Sequence, residues 1–123
     1  MGNTVKNFTD LTVYQKAHSL VLKIYSITNN FPSEEKFCLT DQIRRSAISV
    51  TSNIAEGFSK NSAKDKSQFY AISKGSLTEL QSQMLVAKDL KYVTAEKFQN
   101  LESDFTNIAK MLSGLIKSAH NNF

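Results

Sequence analysis

The 123-residue chain has no tryptophan, one proline, one cysteine and four glycines, and each scarcity removes a class of structure. The single cysteine, Cys38, cannot form an internal disulfide. No basic segment followed by a long apolar stretch opens the chain, so the expected compartment is the cytoplasm. No apolar run approaches the ~20 residues that a membrane-spanning helix needs, so no membrane partner is expected. The glycines are scattered, which leaves no phosphate-cradling loop. His18 and His120 lie far apart and no Glu-x-x-His pair occurs, so the carboxylate-bridged dimetal site that helical bundles can host is not encoded. With no Ser/His/Asp or Cys/His signature either, neither metal nor cofactor nor enzymatic activity is expected. Neither charge sign dominates: 15 basic and 11 acidic residues give a formal +4. Such a balance permits a polyanion or an acidic protein partner without requiring one.

What the chain does have is apolar spacing at helical period nearly from end to end, the mark of an all-α fold in one domain. Residues 1–9 show no periodicity and are expected to form a loose arm, with a single bundle domain over 10–121. Asp10 is placed to cap a first helix with the seam Val13, Ala17, Leu20, Ile24, Ile27 and Phe31. Asn29, Asn30 and Pro32 end it, and Ser33 to Lys36 form a short turn leading to Thr40, a second candidate cap. Cys38, between Phe37 and Leu39, reads as a small buried hydrophobe. A third helix is expected from Ala63 to Leu90 on the seam Tyr70, Ser73, Leu77, Leu80, Met84 and Ala87. Thr94 then caps a fourth, seamed by Phe98, Leu101, Phe105, Ile108, Leu112, Leu115 and Ala119. Its opposite face, Asn100, Ser103, Asn107, Lys110, Gly114 and Lys117, is polar or small. Four such helices on short connections predict an antiparallel up-down-up-down bundle.

The second helix, Asp41 to Lys60, is unusual in carrying two apolar sides. Ile43, Ala47, Val50, Ile54 and Phe58 form one, and Ile48 and Ala55 lie roughly 110° further round. A polar stripe of Gln42, Arg45, Ser49, Asn53 and Glu56 separates them. One side is expected to pack inside the protomer and the other, with Ile48 and Ala55, against another copy, the polar stripe hydrogen-bonded near that second contact. Gly57 reads as a point of close backbone approach. On the third helix Ile72, Glu79 and Val86 recur every seven residues, so Glu79 stands in an apolar row where an unpaired carboxylate is costly. Arg45, or else Arg44, is its expected partner in a structural polar network with Gln42, Ser49, Asn53 and Glu56. Lys60, Lys64, Lys66 and Lys74 cluster around the turn between helices two and three, which makes that end the expected seat for RNA or DNA. The aromatics Phe58, Phe69 and Tyr70 near it are spaced for the core rather than for stacking on bases.

Three stretches, FTDLTVYQKAHSLVLKIY, QIRRSAISVTSNIAEGF and KGSLTELQSQMLVAKDL, resemble the four-helix-bundle proteins encoded in intervening sequences of bacterial 23S ribosomal RNA genes. That family also includes the accessory variability determinants of diversity-generating retroelements. The middle stretch is the specific part, and the likeness runs from Phe8 to Ile116. It implies a cytoplasmic bacterial bundle assembling as a ring-like homopentamer without enzymatic activity. In the retroelement branch relatives bind a reverse transcriptase and have a basic surface suited to nucleic acid; this chain is less basic, so the intervening-sequence branch is the closer reading. Two roles follow: an oligomeric adaptor with weak, sequence-nonspecific nucleic-acid binding, or a module that binds protein alone.

Overall fold

A computed structural model, described over residues 4–120, contains four α-helices and, among the described residues, no strand. They are α1 (Thr12–Thr28), α2 (Leu39–Ser59), α3 (Ala63–Asp89) and α4 (Ala95–His120), with 3-10 turns at Phe8–Asp10 and Ser33–Glu35. Each helix packs on its neighbours in chain order and α1 also packs on α4, while α1 and α3, like α2 and α4, stay diagonal. This closed cycle is the expected up-down-up-down bundle. Its one core cluster draws Ala17, Leu20 and Ile24 from α1, Ile43, Val50 and Ile54 from α2, Leu77, Leu80 and Met84 from α3, and Leu101, Phe105 and Leu112 from α4. Every residue of the predicted α3 seam is buried, and the polar face of α4 is exposed throughout.

Two caps are corrected. Asp10 does not cap α1: its carboxylate accepts the backbone N–H groups of Lys6 and Asn7, each at 3.0 Å. Asn7 in turn accepts from the N–H of Thr9 at 3.1 Å, which closes a capping box around the Phe8–Asp10 turn. The arm expected to be loose through residue 9 is therefore ordered from Asn7, with the Phe8 ring edge-on to Tyr14 at 4.8 Å. Its first three residues, and residue 121 at the far boundary, lie outside the described residues. Thr40 is not a cap either. Helix α2 begins two residues earlier than expected, at Leu39, which puts Thr40 inside its first turn, buried, with a hydroxyl that meets no partner. Ser62 and Thr94 do cap α3 and α4, accepting the N–H groups of Asp65 and Lys97, both at 3.1 Å.

The α2–α3 seam is built from small residues. Ser73, fully buried, donates to the carbonyl of Val50 at 2.7 Å, and the hydroxyls of Ser49 and Ser76 meet at 2.7 Å. Gly57 is required where it stands: a Cβ there would lie 2.8 Å from Cε1 of Tyr70 and 3.1 Å from Cβ of Phe69. The glycine lets the end of α2 lie directly on the Tyr70 ring, as its position in the sequence suggested. Burial of that ring raises the Tyr70 pKa above its ordinary value.

Candidate functional site

The inner apolar side of α2 is buried as expected at Ile43, Ala47, Val50 and Ile54, with Phe58 only half-buried, and its second side faces outward, with Ile48 42% exposed and Ala55 half-buried. Ile48 shares an open cleft of about 590 Å³ with Tyr25 of α1 and with Asp41, Arg44, Arg45 and Ser49. Leu22 and Tyr25 extend this apolar surface onto α1, at 59% and 39% exposure. The sequence reading missed both, although neither lies on the α1 seam and neither is needed by the core. On α3, Ile72 and Val86 are about half exposed, as is Leu90 just beyond its end. The bundle thus leaves two apolar surfaces uncovered, one along α1 and α2 and one along α3.

The expected Arg–Glu79 pair does not form within the protomer, and the row Ile72, Glu79, Val86 is exposed rather than buried. The row lies on the far flank of α3, roughly 130° from the buried seam, and a bundle helix covers only the arc that faces its two neighbours. Arg45 is instead held by Asp41 at 2.9 Å, one turn away on its own helix. Arg44 does a different task. Its Nε donates to the hydroxyl of Thr28 at 2.8 Å, and its guanidinium lies 4.5 Å from the Tyr25 ring centroid. The last turn of α1 contains no basic residue of its own, so Arg44 supplies the cation that the negative end of that helix favours.

The polar stripe of α2 divides. Gln42 and Glu56 are exposed, whereas Asn53 donates to the Ser49 carbonyl at 2.8 Å and to its hydroxyl at 3.0 Å. With Ser49 on Ser76, the middle of the stripe serves the α2–α3 seam of the same chain rather than a second contact, because α3 approaches from that flank.

The four lysines do not gather into one surface. Lys60 pairs with Glu56 at 3.3 Å and sits 5.0 Å over the Phe69 ring. Lys66 donates to the carbonyl of Phe58 at 2.7 Å, closing the C-terminus of α2. Lys64 and Lys74 are exposed, but ten residues apart on α3 they are separated by about 15 Å of rise and point to different flanks. Cys38 is also corrected: it is exposed, as is its neighbour Phe37 at 85%, because the turn leaves the bundle end before α2 begins. Nearby, Tyr92 donates to Glu35 at 2.9 Å, and that bond, followed by burial and the carboxylate charge, raises its pKa. His18 is exposed and stacks on Tyr14 at 6.0 Å. Among the described residues no three His, Cys, Asp or Glu side chains converge as metal ligands, and no helix is long and apolar enough to cross a membrane.

No curated protein matches the chain. Among solved structures, the fold is similar to that of a protein of unknown function from the S23 ribosomal protein family of Bacteroides thetaiotaomicron. The TM-score is 0.80 at 26% identity, over 86% of this chain and 99% of that one. The sequence pattern that defines the 23S rRNA-intervening sequence proteins matches residues 9–114, and the chain belongs to that family.

Proposed function

We propose that this protein is a non-enzymatic assembly module whose working form is a homo-oligomer, with the count of five taken from the family resemblance. The observation that carries it is the pair of uncovered apolar surfaces, Leu22, Tyr25 and Ile48 on one side and Ile72, Val86 and Leu90 on the other. Large apolar side chains left exposed along two flanks of a small chain point to association. A second copy also answers the Glu79 question: a carboxylate between Ile72 and Val86 becomes costly only when another surface covers the row, and Arg45, held by nothing more than an exposed pair with Asp41, is free to turn to it. Light scattering on the purified protein is expected to return a multiple of the 13.8 kDa protomer. Ile48→Glu is expected to reduce that mass by placing an unpaired charge in the contact. A wild-type chain that stays monomeric at micromolar concentration overturns the reading.

The second reading, an adaptor holding RNA or DNA at the α2–α3 turn, is favoured by the +4 charge and by the exposure of Lys64. It is set back by Lys60 and Lys66, whose ammonium groups are already engaged. Fluorescence anisotropy with structured RNA at low salt, comparing wild type with Lys60→Gln/Lys64→Gln/Lys66→Gln, decides it. Unchanged affinity removes that turn as a seat.

A further inference from the structure

On the other flank of α3, where it meets α4, an open cleft of about 420 Å³ is floored by Phe105 and Ala109 and edged by Lys74, Gln81, Thr106, Lys110 and Ser113. Lys74 and Lys110 take part in none of the ion pairs formed among the described residues. No acidic side chain lines the cleft; Glu102, one turn from Thr106, accepts the amide of Gln81 at 2.9 Å through one oxygen. Two ammonium groups sharing one cleft repel each other, and a bound anion turns that repulsion into attraction.

The hydroxyls add to this. Helical Thr28, Thr51, Ser67 and Thr78 each donate back to a carbonyl of the preceding turn. Thr106 and Ser113 line the cleft and make no such bond among the described residues, which leaves both hydroxyls available to a ligand there.

From these groups we infer that the α3–α4 cleft is an oxyanion site for the phosphate class, with Lys74 and Lys110 supplying charge and Thr106 and Ser113 supplying neutral donors. Phosphate suits it better than a carboxylate, because it brings up to two negative charges to two ammonium groups and more acceptor oxygens to donors carried on both helices. The site does not depend on the assembly proposed above. Lys74 lies roughly 140° round α3 from the row of Ile72, Glu79 and Val86, so a copy seated on that row leaves the cleft open. Nor is it the turn of the second reading, since Lys60, Lys64 and Lys66 are not part of it.

The same chemistry is presented by free phosphate or pyrophosphate and by a nucleic-acid backbone, and the test separates them. Titrating the full-length protein with inorganic phosphate and pyrophosphate, against chloride at matched ionic strength, is expected to give a saturable shift in melting temperature and broadening of the phosphorus resonance. Lys74→Gln/Lys110→Gln should weaken both at least tenfold, and the charge-matched control Lys36→Gln/Lys91→Gln less than twofold. Both doubles change exposed side chains, and unchanged circular dichroism checks that each is folded. In a parallel arm with labelled RNA hairpin and DNA duplex, loss of binding in the cleft variant, with the salt slope reduced by about 1 per lost contact, assigns the backbone as the source. If the oligonucleotides are indifferent to the variant while phosphate is not, the ligand is a free phosphate. No saturable response to any of these probes, or equal losses in both double variants, overturns the site.

Discussion

The α2–α3 seam and the α1–α4 seam close the same bundle by different means. Between α2 and α3 the contact is made by Ser49, Ser73, Ser76 and Gly57, with two hydroxyl-mediated inter-helix hydrogen bonds of 2.7 Å, a third of that length from Lys66 to the Phe58 carbonyl, and a ring lying on a glycine. Between α1 and α4 a polar link is the exposed ion pair of Lys23 with Asp104 at 2.8 Å, bordered by clefts of about 310 and 270 Å³. Small residues let backbones approach until neighbouring groups must fit or clash, whereas long side chains bridge a gap and tolerate change. Substitutions should therefore cost most in the first seam and least in the second.

The largest expected effect is at Gly57. Gly57→Val drives a branched side chain into the Tyr70 ring, where a Cβ alone would stand at 2.8 Å, and into Cβ of Phe69. Overpacking should cost ~3 kcal/mol, reduced by ~0.5 for relieving a glycine inside a helix, as read by urea denaturation. Gly75 and Gly114 supply the contrast, since a Cβ at either would meet nothing within 4 Å. Alanine at Gly75 or Gly114 should stabilise the chain by ~0.5–1 kcal/mol. A Gly57→Val protein as stable as wild type would mean that the seam can open at little cost.

That contrast also shows how much of the molecule was legible in the sequence. The tight seam could be read because its buried residues recur at helical spacing, as with Tyr70, Ser73, Leu77 and Leu80, and because glycine late in an apolar helix has few reasons to be there. Thr40 and Asp10 misled because a capping residue type does not say which turn it serves, and the start of α2, two residues earlier than expected, buried the threonine. Glu79 misled for a different reason. Period seven marks a row on a helix but not which row faces inward, and on α3 two apolar rows competed for one core. The lysines near the turn were close in sequence, yet two of them close helix ends or pair locally, a matter of side-chain reach that no spacing rule contains. Lys110 was visible only as part of the polar face of α4, since nothing in its own helix links it to Lys74.

A smaller effect within the tight seam is expected from Ser73→Ala, which removes the donor to the Val50 carbonyl. That carbonyl belongs to a helix and keeps its place in the backbone ladder, so the loss should be ~1 kcal/mol by the same denaturation experiment. Alkali offers a reversible probe of the same contact. Tyr70 has its pKa raised above 10.0 by burial, so its contribution is fully present below about pH 10 and is lost as pH rises through the folded value. Melting temperature should fall in that range, and Tyr70→Phe should lessen the fall without abolishing it, because Tyr92 is raised as well. An alkaline fall unchanged by Tyr70→Phe would show that the ring ionises as readily in the folded chain as in the unfolded one.

The smallest effect is expected at the loose seam, and it sharpens the comparison most cleanly because it isolates one interaction. Lys23 and Asp104 are 54% and 30% exposed at the side chain, so water and salt screen their attraction, and holding the long lysine in place costs side-chain entropy. A double-mutant cycle with Lys23→Gln and Asp104→Asn should give a coupling of ~0.5 kcal/mol at low salt, fading toward zero near 0.5 M. Neither single substitution leaves a buried charge behind, since both partners reach solvent, so neither should approach the cost of Gly57→Val. If the coupling instead exceeded ~2 kcal/mol and persisted in high salt, the pair would be a desolvated clasp. The α1–α4 edge would then have to be ranked with the α2–α3 seam as a determinant of the bundle.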